Sequence, residues 1–270
     1  MNFNLSNALL SNSMLAQKVP AAFASSPHAA RSSRYGFVPT SEVIDALRHE
    51  GFYPVSATQA TPRDDGRLAF AKHMIRFRRD DDPVDGLVPE VIMVNSHDGS
   101  SGYQLMAGLF RFVCLNGLML SVKYTQISVA HRKEAVRDVI EGSYTVIKEA
   151  RLGMAQAAAM SKVELTNDEQ MLLAIAAHRE RFADSSFAQS FTPQMMLAAR
   201  RPQDKANDLF TVMNRIQEHA IRGGLRVWER SKLNRMQKRT SRQVQGIDQS
   251  VDLNRKIWQF AEQMLALKAA

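Results

Sequence analysis

Residues 89–120 read PEVIMVNSHDGSSGYQLMAGLFRFVCLNGLML, and they carry the clearest evidence of the fold class in the sequence. Its two ends are rich in β-branched and aromatic residues, as strands are. The HDGSSG segment between them, residues 97–102, has the Asp, Gly and Ser content of a hairpin turn. A second turn is marked by Asn116-Gly117. The stretch therefore predicts two antiparallel strands joined by a short connection.

The residues before this stretch predict a helix and two further strands. Val43, Ile44 and Leu47 recur at helical spacing after a cap at Thr40, and Gly51 ends the segment. Extended segments follow at residues 52–60 and 67–79, separated by the turn-forming PRDDG. The first half is thus predicted to be a helix followed by an antiparallel β-meander.

The second half has the periodicity of helices. Thr166 and Glu169 have the spacing of a capping box, and Thr192-Pro193 places a cap before an N1 proline. The predicted class is α+β: an N-terminal helix plus an antiparallel β-meander, followed by a mainly helical C-terminal half. The predicted divisions are a mobile N-terminal arm (1–34), an α+β core (35–160), a helical region (161–221), a basic linker (222–249) and a C-terminal docking helix (250–270).

Composition bounds the class of protein. A chain of 270 residues that is 45% apolar can bury a sizeable core without crosslinks. Its one cysteine, Cys114, excludes an intramolecular disulfide and fits a reducing compartment. The N-terminus lacks a basic n-region, and its Asn and Ser residues interrupt any apolar run. We expect a cytoplasmic protein with no membrane partner, since no run of about eighteen apolar residues occurs.

Positive charge is concentrated near the C-terminus. Between Arg200 and Arg242 the chain has twelve Lys or Arg residues against four acids, a surplus equal to the +8 of the whole chain. A local excess of this kind attracts polyanions such as nucleic acid, or an acidic face of another protein. A solvated, solubilising surface is the alternative interpretation.

The His97-Asp98 pair and Cys114 are the residues that most suggest chemistry. The histidines His73, His97, His131 and His178 show no metal-ligand spacing. Asp98-Gly99 is what a tight turn selects, and Cys114 lies among apolar residues of a predicted strand, as a structural thiol does. Nucleophile-elbow, phosphate-loop and dinucleotide motifs do not occur. We therefore predict no catalytic residue, no metal and no cofactor.

What remains is a pattern of basic residues near aromatic ones. Cations on the second strand could track a phosphate backbone, with Phe77, Tyr103 or Phe110 available for stacking on bases. The C-terminal cations are the stronger candidates, because apolar residues are sparse among them. The predicted nucleic-acid-binding residues are Lys72, Arg76, Arg78, Arg79, Arg226, Arg230, Arg235, Lys238 and Arg239.

Two blocks of the sequence, residues 95–120 and 212–265, carry a family resemblance. The His-Asp-Gly turn, the RFVCLNG strand, and the basic segment that leads to GID and a final helix resemble the phage- and plasmid-borne family described as domain of unknown function 932. This resemblance implies a bacterial protein carried on mobile DNA. The order helix, β-meander, helix in residues 40–160 is also similar to the core of Rad52-type single-strand annealing proteins, a likeness of fold alone.

Three functions follow as hypotheses. The first is a nucleic-acid-binding protein of a mobile element, with single-stranded DNA as partner and annealing as its role. The second is an anti-defence or regulatory module that binds a host protein. The third is a hydrolase built on His97 and Asp98. A homo-oligomer is a further expectation, since annealing proteins form rings.

Overall fold

The structure is a computed structural model that describes residues 9–30, 35–79, 83–113, 116–121, 123–124, 126–182, 189–230 and 234–269. The chain divides into two compact units, Met1–Met154 and Ala155–Ala270. Helices and an antiparallel sheet make up the first unit, and the second is mainly helical. The predicted α+β class and helical C-terminal half are therefore confirmed.

The first unit is built on a six-stranded antiparallel sheet. Its order along the sheet is β1-β2-β3-β4-β5, and β6 pairs with the beginning of β4. The register places Ile75 opposite Met93 and Val91 opposite Ala107. The strands are β1 (Tyr53–Gln59), β2 (His73–Arg78), β3 (Leu87–Asn95), β4 (Tyr103–Arg111), β5 (Asn116–Met119) and β6 (Ile127–Val129).

Three helices accompany the sheet: α1 (Asn12–Lys18), α2 (Thr40–His49) and α3 (Ala135–Met160). Close packing against the sheet explains why α3 contains glycines. A β-carbon at Gly142 would lie 2.7 Å from Leu105 Cδ1, so glycine lets α3 lie directly against β4. Gly153 approaches Leu120 in the same way.

Three local predictions for the first unit were wrong. The N-terminal arm is packed in its described part: Leu15 and Val19 are buried, and the Leu10 amide donates to Pro54 O at 2.8 Å. The strand expected at residues 67–79 begins only at His73, after a 3-10 helix over Asp65–Phe70. Pro39, not Thr40, occupies the N-cap of α2, because the Thr40 hydroxyl is used in a buried network described below.

The second unit contains α4 (Asn167–Phe182), α5 (Leu209–Arg222), β7 (Arg226–Arg230), β8 (Met236–Thr240) and α6 (Ile247–Ala269). The capping box at the start of α4 is confirmed, since the Thr166 amide donates to Glu169 Oε2 at 2.7 Å and the Glu169 amide to Thr166 Oγ1 at 3.3 Å. The helix expected after Thr192 is a single 3-10 segment, Pro193–Leu197. The apolar stripe of α6 is buried within this unit, where Trp258 donates to Gln156 Oε1 at 3.1 Å.

Residues 222–249 do not form the linker that their basic composition suggests. Strands β7 and β8 pair as an antiparallel ribbon, with Trp228 opposite Lys238 and Arg230 opposite Met236. The ribbon follows α5 after only three residues. Most of the predicted C-terminal cations therefore have fixed places on a sheet face.

Candidate nucleic-acid interface

The structure places Arg76 and Arg78 in the interior of the first unit. Both side chains are less than a tenth exposed, and both donate to the fully buried carboxylate of Glu90. Arg76 Nε lies 2.6 Å from Glu90 Oε2 and Arg78 Nε 2.7 Å from Glu90 Oε1. A second donation, from Arg76 Nη2 to Leu118 O at 2.8 Å, holds the guanidinium over β5. This placement does not suit contact with an external phosphate.

The other two candidates near the second strand have different surroundings. The guanidinium of Arg79 stacks on aromatic rings, with its Cζ 5.2 Å from the centre of Phe52 and 5.5 Å from that of Tyr144. Such cation–π contacts hold an arginine in place. Lys72 is half-buried. Arg76, Arg78 and Arg79 thus have structural contacts of their own.

The aromatic residues proposed for base stacking are either buried in the core or covered by another side chain. Phe77 and Tyr103 are fully buried. Phe110 lies beneath Arg78, whose Cζ is 3.6 Å from the ring centre. The sheet of the first unit therefore presents none of the three as an open ring.

The ribbon of β7 and β8 has one face that is open to solvent. Alternation along a strand sends every second side chain to the same side, and the register places these side chains together. We call this surface the outer face of the ribbon. Its members are all exposed: Arg226, Trp228, Arg230, Met236, Lys238 and Thr240.

Three of the predicted cations lie on this outer face. Arg230 Nη1 donates to Asn234 Oδ1 at 2.7 Å, across the ribbon's turn. Over the part of the chain that the structure describes, neither Arg226 nor Lys238 forms an ion pair with an acid. Trp228 lies between them and is 68% exposed. The outer face thus combines three cations with an open aromatic ring.

The opposite face of the ribbon packs against the rest of the second unit. Glu229 accepts from Ser190 Oγ at 2.7 Å and from Gln237 Nε2 at 3.4 Å. It also pairs with Arg239, so that this cation is neutralised on the inner side. The hydrogen bond from Ser190, with Arg239 and Gln237, holds the pKa of Glu229 below its usual range. Arg235, the last of the predicted cations, is exposed and directly precedes β8.

The base of the ribbon is fixed by backbone hydrogen bonds across it and by the side chain of Arg181 from α4. The Gly224 amide donates to Ser241 O at 2.8 Å, and the Ser241 amide to Leu225 O at 2.9 Å. Arg181 of α4 bridges α5 and the segment that follows β8, since its Nε donates to Ala220 O at 2.9 Å and its Nη2 to Arg242 O at 2.8 Å. The outer face is therefore presented from a rigid support.

Gly223 is the residue at which the chain leaves α5 for the ribbon. Its φ is +67°, and a β-carbon there would lie 2.5 Å from Ser241 O and 2.6 Å from Arg242 O. We expect Gly223→Ala to lower the free energy of unfolding by about 2 kcal/mol or more, because left-handed strain of about 1–2 kcal/mol adds to the overlap with the returning strand. Urea denaturation measures this change.

Gly224→Ala is the matched control for that prediction. Its φ is +84°, yet the nearest atom to an added β-carbon is Arg200 Nη2, the end of a flexible side chain, at 3.3 Å. Both variants introduce backbone strain, but only Gly223→Ala also brings the new β-carbon into overlap with main-chain atoms. Equal losses in the two variants would contradict the close approach at Gly223.

The cations that precede the ribbon are largely neutralised. The buried carboxylate of Glu218 lies 2.5 Å from Arg201 Nη2, 3.5 Å from Arg200 Nη1 and 3.6 Å from Arg222 Nη1. Arg201 also pairs with Asp204 at 2.5 Å. The acids between residues 200 and 222 thus offset charge around α5, whereas Arg226 and Lys238 on the outer face form no ion pair with an acid among the described residues.

The loop that contains His97 and Asp98 connects β3 with β4. Asp98 acts as a turn residue: its Oδ1 accepts from the Ser100 amide at 2.8 Å, and Gly99 follows with a φ of +83°. His97, in contrast, is fully buried. A hydrolytic centre needs access to substrate, so this burial does not favour the hydrolase hypothesis.

His97 belongs to a buried hydrogen-bond network that the sequence did not indicate. His73 Nε2, His97 Nε2 and Asn95 Nδ2 each lie 3.0 Å from Thr40 Oγ1. His131 Nε2 lies 2.9 Å from Asn95 Oδ1. These residues are up to 91 positions apart in the chain, and the pairing of β2 with β3 places His73 opposite Asn95.

The partners in this network assign the protons. His73 Nδ1 lies 3.0 Å from the Ala71 carbonyl oxygen, so it carries the proton and its Nε2 accepts from Thr40. The one hydroxyl proton of Thr40 is then used, and His97 must donate through Nε2. His131 likewise donates through Nε2 to Asn95. All three rings are neutral in this arrangement.

Burial keeps the rings of His73, His97 and His131 neutral. It lowers the pKa of His73 to about 4 and that of His97 to about 3, and it lowers the pKa of His131 as well. Repulsion between the rings, were they charged, contributes in the same direction for His73 and His97. The network therefore acts as a structural polar core.

Two further observations concern ligands and location. Among the described residues, no group of three or more His, Cys, Asp or Glu side chains is arranged to hold a metal ion. Within the same ranges, no helix has the length and apolar character that crossing a bilayer would require. Cys114, predicted to be a structural thiol, lies outside the described residues.

Comparison with known families matches residues 27–258 to the family described as domain of unknown function (DUF932). The chain belongs to that family, as the turn and the basic C-terminal block suggested. It is 41% identical over 257 residues to the UPF0380 protein YafZ of Escherichia coli K12. The aligned residues make up 95% of this chain and 92% of the relative. The UPF0380 protein YfjQ of the same strain is 40% identical over 257 residues, with the same coverage. No solved structure matches, and the likeness to Rad52-type annealing proteins stays a prediction.

Proposed function

We propose that this protein binds nucleic acid through the outer face of the β7–β8 ribbon. The observation that supports the proposal best is the set of three cations, Arg226, Arg230 and Lys238, around the exposed ring of Trp228. Non-specific binding to nucleic acid needs cation density and no sequence-reading motif. Arg235 and Arg242 are exposed near the two ends of the ribbon and extend the positive surface.

The role that we propose is binding or annealing of single-stranded DNA during the replication or recombination of a mobile element in the bacterial cytoplasm. Arg76, Arg78 and Arg79 have no part in it, because their guanidinium groups are held by Glu90 and by aromatic rings. Arg239 contributes indirectly, by neutralising Glu229 beneath the ribbon. No bond-breaking step is assigned, and self-association is a further prediction.

The variant R226A/R230A/K238A tests the proposal. We expect its affinity for a 20-nucleotide single strand at low salt to fall tenfold or more, because three phosphate contacts are lost. The slope of log K against log salt should become shallower by about 2, since each contact to a single strand contributes about 0.7. Fluorescence anisotropy over a salt series measures both quantities.

The matched control is R63A/K133A/K162A, which removes the same net charge from exposed positions outside the ribbon. It should retain the wild-type slope. If both triple variants lose affinity to the same extent, binding depends on net charge alone and the ribbon is not the site. If neither does, the protein does not bind nucleic acid through these cations.

Binding of a host protein is the second candidate. Trp228 is 68% exposed and Met236 57% exposed, beside arginines, and Trp, Met and Arg are enriched at protein interfaces. A pull-down from nuclease-treated bacterial lysate separates the two functions. A stoichiometric protein that is retained by the wild type and lost with R226A/R230A/K238A would favour this second candidate.

A further inference from the structure

Trp228 is at the centre of the outer face. Arg226 and Arg230 lie two residues to either side of it on the same strand, and Lys238 lies directly across on β8. Two residues of a strand span about 7 Å, so the indole has a cation within reach at both ends and a third beside it. The other tryptophan of the chain, Trp258, is 1% exposed.

An indole this open to water is unusual, because a large apolar ring is ordinarily covered. Stacking on a nucleobase would cover it while the neighbouring cations held the phosphates. Base stacking on aromatic rings contributes roughly 1–3 kcal/mol per base and tolerates any sequence, since every base has a π-face.

The same geometry discriminates between forms of nucleic acid. In a duplex each base is already stacked between its neighbours, and its faces are closed to an aromatic ring on a protein surface. Unpaired bases leave their faces open. We infer that the outer face selects single strands over duplexes, and that Trp228 is the residue that stacks on the base.

Met236 supports this assignment. It lies opposite Arg230 on the same face and is 57% exposed. Its thioether can contact the edge of an aromatic ring. The outer face thus has an apolar part, Trp228 and Met236, bordered by cations. A single strand would place its bases on the apolar part and its phosphates on the cations.

This inference rests on the proposed function, and its test is separate. Affinities of the wild type, W228A and W228F are measured for oligo-dT, oligo-U and a DNA duplex, all with fifteen nucleotides per strand. We expect W228A to weaken binding of the single strands about fivefold or more, by the stacking energy above. Duplex affinity should change less than twofold, and W228F should keep most of the single-strand affinity.

L267A is the matched control, because Leu267 is 73% exposed on α6 and its removal takes away an open apolar side chain elsewhere in the second unit. It should bind as the wild type does. Intrinsic fluorescence gives a second readout: single strands should quench the emission of Trp228, and the quenching should vanish in W228F, where only the buried Trp258 remains.

The outcomes are distinguishable. If R226A/R230A/K238A loses binding while W228A retains it for all three ligands, the proposed function stands and the stacking role is wrong. An equal loss for single strands and duplex in W228A would likewise overturn the selectivity. A difference between oligo-dT and oligo-U identifies the natural strand as DNA or RNA and supports the inference in either case, provided that both exceed the duplex.

Discussion

Replacing Glu90 with glutamine is expected to lower the free energy of unfolding by about 3–5 kcal/mol, the cost of removing one partner from a buried ion pair. Glu90 is fully buried and accepts from two guanidinium groups at 2.6 and 2.7 Å. Burial lowers the pKa of Arg78, and the carboxylate of Glu90 opposes that effect. Without the carboxylate, two buried cations would face each other with no charge between them.

The position of Arg76 adds to this cost. Its guanidinium lies over Gly117, where a β-carbon would be 2.6 Å from Arg76 Cζ. The group is confined between β5 and Glu90 and cannot turn away when the carboxylate is lost. Urea denaturation at neutral pH measures the effect.

E141Q is the control for Glu90. The Glu141 side chain is 72% exposed and lies 3.9 Å from Arg137 Nε, and exposed pairs contribute about 0–1 kcal/mol. A loss below 1 kcal/mol in E90Q as well would mean that water reaches the two arginines, and the buried triad would then be wrong.

Mild acid is expected to destabilise the protein through the histidine network. In the unfolded chain each histidine takes up a proton near pH 6.5, whereas the folded protein keeps His73 and His97 neutral down to about pH 4 and 3. Between these values the unfolded state binds more protons, so stability falls as the pH falls. Above about pH 7 these histidines are neutral in both the folded and the unfolded state, so this loss of stability does not occur.

The size of the effect follows from the pKa shifts. At pH 5, about 1.5 units below the unfolded value, each histidine that stays neutral lowers the free energy of unfolding by about 2 kcal/mol. His73 and His97 together should cost about 4 kcal/mol between pH 7 and pH 5. Urea denaturation at these two pH values tests this, in a range above the titration of most carboxylates.

H97Q isolates one member of the network. The glutamine amide can replace the Nε2 donor to Thr40, and it does not titrate. Burial also lowers the pKa of His219 in the second unit, so the informative quantity is the difference between wild type and H97Q. We expect the variant to lose about 2 kcal/mol less on acidification; identical losses would show that His97 is not kept neutral by the fold.

Local signals carried most of the fold prediction. The alternation and turn residues of residues 89–120 predicted β3, β4 and their connection, and the Thr166–Glu169 spacing predicted the start of α4. Each of these depends on residues that are close together in the chain. The family resemblance rested on the same kind of short pattern.

The prediction failed where distant residues decide the outcome. Arg76 and Arg78 look like surface cations until β3 places Glu90 between them, and Thr40 looks like a cap until two histidines reach its hydroxyl. The ribbon had no comparable local signal. Apolar and charged residues do not alternate over Arg226–Arg230, since Trp228 is on the exposed side and Glu229 on the inner side.

The support of the ribbon has a consequence for how its surface can change. Besides one bond to the Ser241 hydroxyl, the hydrogen bonds described at its base end on the carbonyl oxygens of Ala220, Leu225, Ser241 and Arg242, and every amino acid has that oxygen. Side chains that point to solvent make no contribution to this attachment. Substitutions there are therefore free to retune recognition, and a chain of this architecture could acquire a new ligand without a new scaffold.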